Sequence, residues 1–186
     1  MVVSVIDGTK AGQEQVTTVC SDAILRELLA ELLEHGKQVR FRARGGSMYP
    51  SIQDGEFITV TPVTLQEIQV GDVLVYQHID TKKVIVHRLI KIQKDSAHSW
   101  PFLLFAGDDS VCCDAPAYAP DYLLGRVVAV EGNGRRVSLE SKLNRMRGWF
   151  KVQCMLFCPR TLRTVMRRAR RGPARIAYFL ASRGRA

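Results

Sequence analysis

Residues 141–186 contain no aspartate or glutamate. They hold 13 of the 27 Lys and Arg residues, while residues 1–140 hold the other 14 and all 18 acids. The formal charge of +9 therefore divides into a body of net −4 and an appendage of net +13. The chain also lacks any apolar run of the ~18 residues that a membrane span needs. Residues 149–158 come nearest, and Lys151 and Gln153 interrupt them. Residues 1–7 show neither the basic start nor the apolar core of a signal peptide. Cysteine is sparse, at Cys20, Cys112, Cys113, Cys154 and Cys158, and no CxxC pair is present. An odd count without framework spacing argues against a secreted disulfide scaffold and against a zinc site. The expected state is buried or idle thiols in a reducing compartment.

What is present excludes disorder of the whole chain: 46% of residues are hydrophobic and 24% charged. The length allows one domain with appendages. Three segments are expected: residues 1–38, a polar start (1–17 read as loose) plus an amphipathic helix; residues 39–140, a β-rich domain; and residues 141–186, a basic helical tail. In the first, Ile24, Leu25, Leu28, Leu29, Leu32 and Leu33 repeat at helical period. Gly36 suits the helix end.

From Val39 the pattern becomes short β runs. Val39, Phe41 and Ala43 alternate with Arg40, Arg42 and Arg44. Further runs fall at 56–61, 72–77, 83–92, 102–105, 122–130 and 135–139, punctuated by Gly, Pro and Asp. Gly132-Asn133-Gly134 should close a hairpin. No helical stretch separates the runs, so a parallel sheet built of βαβ units is not expected. After Ser141 helical composition returns, with a break at Pro159 and a second basic helix over 161–171.

Three pieces could carry chemistry. In Gly45-Gly46-Ser47-Met48-Tyr49-Pro50, two glycines permit a tight turn and Pro50 stiffens the chain after it. That presents Ser47 as a nucleophile must be presented, although most such loops are only loops. His87 lies within Val84-Ile85-Val86-His87-Arg88-Leu89-Ile90, sharing a face with Ile85 and Leu89. A histidine there is usually a satisfied core residue, yet a neutral imidazole is also the common general base for a serine. A strand then ends in Gly107-Asp108-Asp109-Ser110-Val111-Cys112-Cys113-Asp114. This is either a solvated turn or the source of a carboxylate that orients the imidazole.

Taken together, these segments resemble the signal-peptidase-type serine proteases of the Ser/His class over roughly residues 40–130. Gly46-Ser47-Met48-Tyr49-Pro50 is similar to the family's GSMxP box. Asp54-Gly55-Glu56 is similar to the turn after it, with Glu56 where Asp is usual. Gly71-Asp72-Val73-Leu74-Val75-Tyr76 resembles the GDVVVY strand, and Val86-His87-Arg88-Leu89-Ile90 the VHRVI strand. The family's two aspartates match Asp108 and Asp114, and Gly125-Arg126-Val127 matches the G-x-V strand that follows.

The resemblance implies a mainly β fold, the compact antiparallel signal-peptidase/LexA-like one, with the N-terminal helix and the basic helical tail added. It implies a serine endopeptidase that cuts a specific bond in a protein or leader-peptide substrate. Ser47 would be the nucleophile and His87 the base. Asp114, first choice, or Asp108 would orient the imidazole. The backbone N–H groups at Gly46 and Ser47 would hold the oxyanion. Relatives often carry a serine two residues before the nucleophile; here Gly45 stands there, leaving backbone donors or water. No metal or cofactor is implied. In the related LexA-type self-cleaving repressors a lysine replaces the histidine, so a self-cleaving regulator is one alternative and a non-catalytic binding module another. Relatives are usually membrane-anchored. The expectation for this chain is a cytoplasmic location, with peripheral attachment to an anionic membrane through the tail. Nucleic acid is a weaker candidate partner for the same charges.

Overall fold

The computed structural model describes residues 3–6, 22–78, 81–94, 101–110, 113–114, 117–118 and 122–157. The elements run β1 (Val3–Ile6), α1 (Asp22–Glu34), β2 (Gln38–Arg42), β3 (Phe57–Thr61), β4 (Val73–Gln77) and β5 (Val84–Gln93). They continue with β6 (Phe102–Ala106), β7 (Ala117–Tyr118), β8 (Leu123–Gly132), β9 (Arg135–Ser138) and α2 (Lys142–Phe157). Among the described residues, nine strands form one sheet in the order β1-β2-β3-β8-β4-β5-β6-β7, with β9 added on β8. Every pairing is antiparallel. The mainly β architecture with a helix before and after it is the one expected.

Two strands depart from expectation. Residues 1–17 read as loose, yet Val3–Ile6 pairs with β2 in the register Val3↔Phe41 to Ile6↔Gln38. A four-residue segment, Val-Ser-Val-Ile, is too short to announce itself by periodicity, and the edge of β2 recruits it. Ala117–Tyr118 likewise pairs with β6.

In α1 the i, i+4 positions Leu25, Leu29 and Leu33 are almost fully buried, while Ile24 is exposed. Each buried leucine contributes about 1.5–3 kcal/mol. The helix ends as its sequence dictates. Gly36 takes φ +73°, and the Gly36 and Lys37 N–H groups donate to the Leu33 and Leu32 carbonyls, the two bonds of a Schellman cap. The Asn133-Gly134 turn also follows from its residues: φ is +51° and +72° there, and Gly132 pairs with Arg135 across it.

β4 lies between β8 and β5. Val73 and Val75 enter the core under α1 with Leu29, Phe41 and Ile58. Leu74 and Tyr76 enter a second cluster with Leu89, Leu103 and Phe105. Both faces are covered, so this strand reads as continuous apolar sequence rather than as alternation.

The chain forms two compact units, Met1–Val152 and Gln153–Ala186. Of the second, the described residues are 153–157, the end of α2. The expected basic helix over 161–171 lies outside the described residues, as do Cys20, Cys112 and Cys158. Cys113 and Cys154 are exposed thiols. No helix among the described residues is long and apolar enough to cross a membrane.

Candidate active site

The loop after β2 carries Ser47. Met48 and Ile52 anchor it by burial in the α1 core. Gly45 adopts φ +89°, and its N–H donates to the Asp54 carboxylate at 2.8 Å. From the other side, the Asp109 N–H donates to the Ser47 carbonyl at 2.8 Å, so the loop after β6 clamps the serine backbone. Ser47 itself is exposed. A peptide reaching the surface can therefore touch its hydroxyl.

His87 sits in β5 opposite Leu74 of β4. Only 8% of it is exposed. Its Nε2 lies 2.9 Å from Ser47 Oγ. Its Nδ1 hydrogen-bonds Asp114 Oδ2. The Tyr76 hydroxyl donates to the same oxygen at 2.8 Å, and the Asp114 N–H donates to the Phe105 carbonyl at 2.8 Å, which ties the carboxylate to the end of β6.

Burial works against the Asp114 charge. The hydrogen bond and charge of His87, then the Tyr76 hydroxyl, outweigh it and hold the carboxyl below its ordinary range. Burial, then the neighbouring Asp114 charge, pushes the Tyr76 phenol far up, so Tyr76 stays a donor. An ionised Asp114 accepts a hydrogen bond from Nδ1–H, and in the neutral imidazole this leaves the Nε2 lone pair facing the Ser47 hydroxyl.

Asp108, the other expected carboxylate, does not meet His87. It accepts a bidentate pair from Arg88, Nε to Oδ1 at 2.7 Å and Nη2 to Oδ2 at 2.8 Å. Strand alternation explains the separation. His87 and Arg88 are adjacent in β5, so their side chains leave opposite faces, and each takes one of the two aspartates. Lys151 of α2 reaches Asp108 Oδ2 at 2.9 Å, and the Ser51 hydroxyl bonds both Asp108 and Lys151. Burial alone would raise the Asp108 carboxyl; the Arg88 hydrogen bonds and charge, then Lys151 and Ser51, lower it to about 2.

Sequence reasoning missed Tyr76, Ser51 and Lys151 as parts of this region. Tyr76 and Arg88 stood inside quoted motifs without a role. Nothing in the sequence links Lys151 to residue 108, because the contact spans 43 positions.

Gly107 occupies the narrowest point. A Cβ there would lie 2.6 Å from the Ser47 carbonyl oxygen and 3.1 Å from His87 Nε2. Among the described residues, the Gly46 and Ser47 N–H groups donate to no acceptor. No group of three or more His, Cys, Asp or Glu side chains among the described residues converges as metal ligands would.

Beside Ser47 and His87 runs a cleft of about 460 Å³, lined by Leu25, Phe41, Met48, Ile52, Val84 and Val86 among others. β6 pairs with β5 only from Arg88 onward. Among the described residues, residues 84–87 therefore have one sheet edge without a partner strand. Their backbone can hydrogen-bond an extended peptide there.

No curated protein matches the chain. Residues 5–98 match the model of the family described as Peptidase S24-like. That segment spans half of the chain and carries both Ser47 and His87, and the protein belongs to that family.

Proposed function

We propose that the protein is a serine endopeptidase that cuts one peptide bond in a protein or leader-peptide substrate. The observation that carries this reading is the 2.9 Å contact of Ser47 Oγ with His87 Nε2, with Asp114 bonded to the far nitrogen. A buried non-catalytic histidine would not need an exposed serine on one nitrogen and an ionised carboxylate on the other.

The chemistry follows from these atoms. Ser47 Oγ forms a bond to the scissile carbonyl carbon as its proton passes to His87 Nε2. The carbonyl oxygen takes the electron pair and accepts hydrogen bonds from the Ser47 N–H and a neighbouring backbone donor. Asp114 stays ionised and stabilises the imidazolium. The C–N bond breaks as Nε2 returns the proton to the leaving amine. Water, deprotonated by the same nitrogen, then releases the acyl group from Ser47. The substrate lies extended along residues 84–87, with side chains entering the apolar cleft.

A nucleophilic serine with an adjacent base also serves a chain that cuts itself, as LexA-type members do with a lysine in place of the histidine. Dilution separates the two modes, since self-cleavage is independent of protein concentration and cutting of a second molecule is not.

A covalent serine-directed probe tests the proposal. Labelling of wild type that disappears in Ser47→Ala supports it; a folded wild type that never labels overturns it. Mapping new protein N-termini in cells with wild type against Ser47→Ala would then name the substrate and bond together.

A further inference from the structure

On the far side of Arg88 from His87, a cavity of about 270 Å³ lies between α2 and the sheet. Six of its lining side chains are cationic and two, Asp72 and Glu140, are acidic. Two of the cations, Arg88 and Lys151, are spent on Asp108. Arg126 stands between both acids, 3.7 Å from Asp72 and 3.4 Å from Glu140. Arg135 and Arg145 remain, with no acidic partner among the described residues, and Arg147 reaches only the Asn144 side chain at 3.5 Å. The local balance is a surplus of positive charge in a concave site.

A second observation also calls for an acceptor. The Arg126 Nε is buried and has no hydrogen-bond partner among the described residues, although a buried donor left unpaired is costly and rare. An anion that draws the Arg126 guanidinium toward the cavity would give this donor the acceptor it lacks among the described residues.

α2 indicates where that anion comes from. Gly148 lets the helix press onto Gly71, since a Cβ at 148 would lie 2.8 Å from the Gly71 carbonyl oxygen. Turned away from that contact, Leu143, Met146 and Phe150 are each about two-thirds exposed or more. Their spacing of three and four places them on one face. An exposed apolar face beside a cationic cavity is what a helix at a lipid–water boundary presents. Residues 141–186, with 13 Lys and Arg and no acid, add attraction to a negative surface.

We propose that this cavity binds the phosphate-bearing headgroup of an anionic membrane lipid, with the outer face of α2 in the acyl region. The site stands independently of the peptidase reading.

Two measurements on the full chain test it. First, glycerol 3-phosphate is titrated into wild type while the Arg126 Nε–H resonance is followed by NMR. A saturable shift is expected, and an unmoved resonance overturns the proposal. Second, flotation is measured with vesicles of equal parts phosphatidylglycerol and phosphatidylcholine. The Arg135→Gln/Arg145→Gln protein should bind at least about tenfold more weakly than wild type. A control of equal charge change, Arg26→Gln/Lys91→Gln, should lose less than about threefold. Equal losses in both proteins would mean diffuse attraction and overturn the site. Leu143→Ser/Phe150→Ser should weaken vesicle binding and leave the glycerol 3-phosphate shift intact. If glycerol 3-phosphate, or a single-stranded oligonucleotide, is held by the cavity while vesicle binding ignores the cavity variants, the lipid assignment falls.

Discussion

The Cα of Gly107 faces the Ser47 carbonyl so closely that a Cβ would lie 2.6 Å from that oxygen. The obstructed atom belongs to the backbone and cannot rotate away. Gly107→Ala must therefore move either the loop after β6 or the serine. The expected outcome is a folded protein whose probe-labelling rate falls about 100-fold, the usual consequence of displacing a reacting group by about 1 Å. The labelling rate against the circular-dichroism melting curve checks it.

Ser47 and His87 act as a unit in the proposed mechanism. Ser47→Ala and His87→Ala should each abolish turnover of a peptide substrate, and the double variant should be no worse than either single one. Independent, multiplying losses would show that the two side chains do not share a proton.

Tyr76→Phe removes one of the groups that lower the Asp114 carboxyl. Its pKa should rise toward the ordinary carboxylate value. The titration of the Asp114 carboxyl, followed by the NMR resonance of its side-chain carbon, should therefore move to higher pH. The rate at neutral pH should fall about tenfold or less, as loss of one hydrogen bond to a charged group allows. A carboxyl titration that stays in place would mean that Tyr76 does not help hold the Asp114 charge.

The Asp108 carboxyl is lowered from 3.8 to about 2 on folding. A depressed carboxylate stabilises the fold above its unfolded pKa, and that contribution disappears as pH falls through the folded value. Wild type should therefore lose stability between pH 3.8 and about 2. Asp108→Asn should flatten that limb. At neutral pH it should cost about 3–5 kcal/mol, because Arg88 is left buried without a counter-charge. Denaturant titrations across pH read both effects.

Lys151→Met leaves the Arg88–Asp108 pair intact and removes only the helix's contribution to it. Lys151 is partly exposed, so the expected loss of stability is about 1 kcal/mol or less. A much larger loss would mean that α2 is required to hold β5 in place.

The hairpin at Asn133-Gly134, the Gly36 cap and the strands at 57–61, 73–77 and 84–93 were legible because each rests on local chemistry: left-handed φ, or apolar runs bounded by breakers. β1 was not legible, since four residues acquire strand character only from the β2 edge they pair with. Nor was the partnership of the two aspartates, which resemblance had left open between Asp108 and Asp114.

The residues themselves determined that a serine would be presented by a glycine loop, that a histidine would lie within a strand, and that the charge would divide at about residue 140. All three are properties of neighbouring positions. Only the tertiary structure decided that Asp114 faces His87 while Asp108 faces Arg88, that Tyr76 donates to the first and Lys151 to the second, and that Gly107 closes against Ser47. Those contacts join positions 20 to 60 residues apart through strand pairing and face alternation. No local pattern encodes which of two carboxylates will find itself on which face of β5.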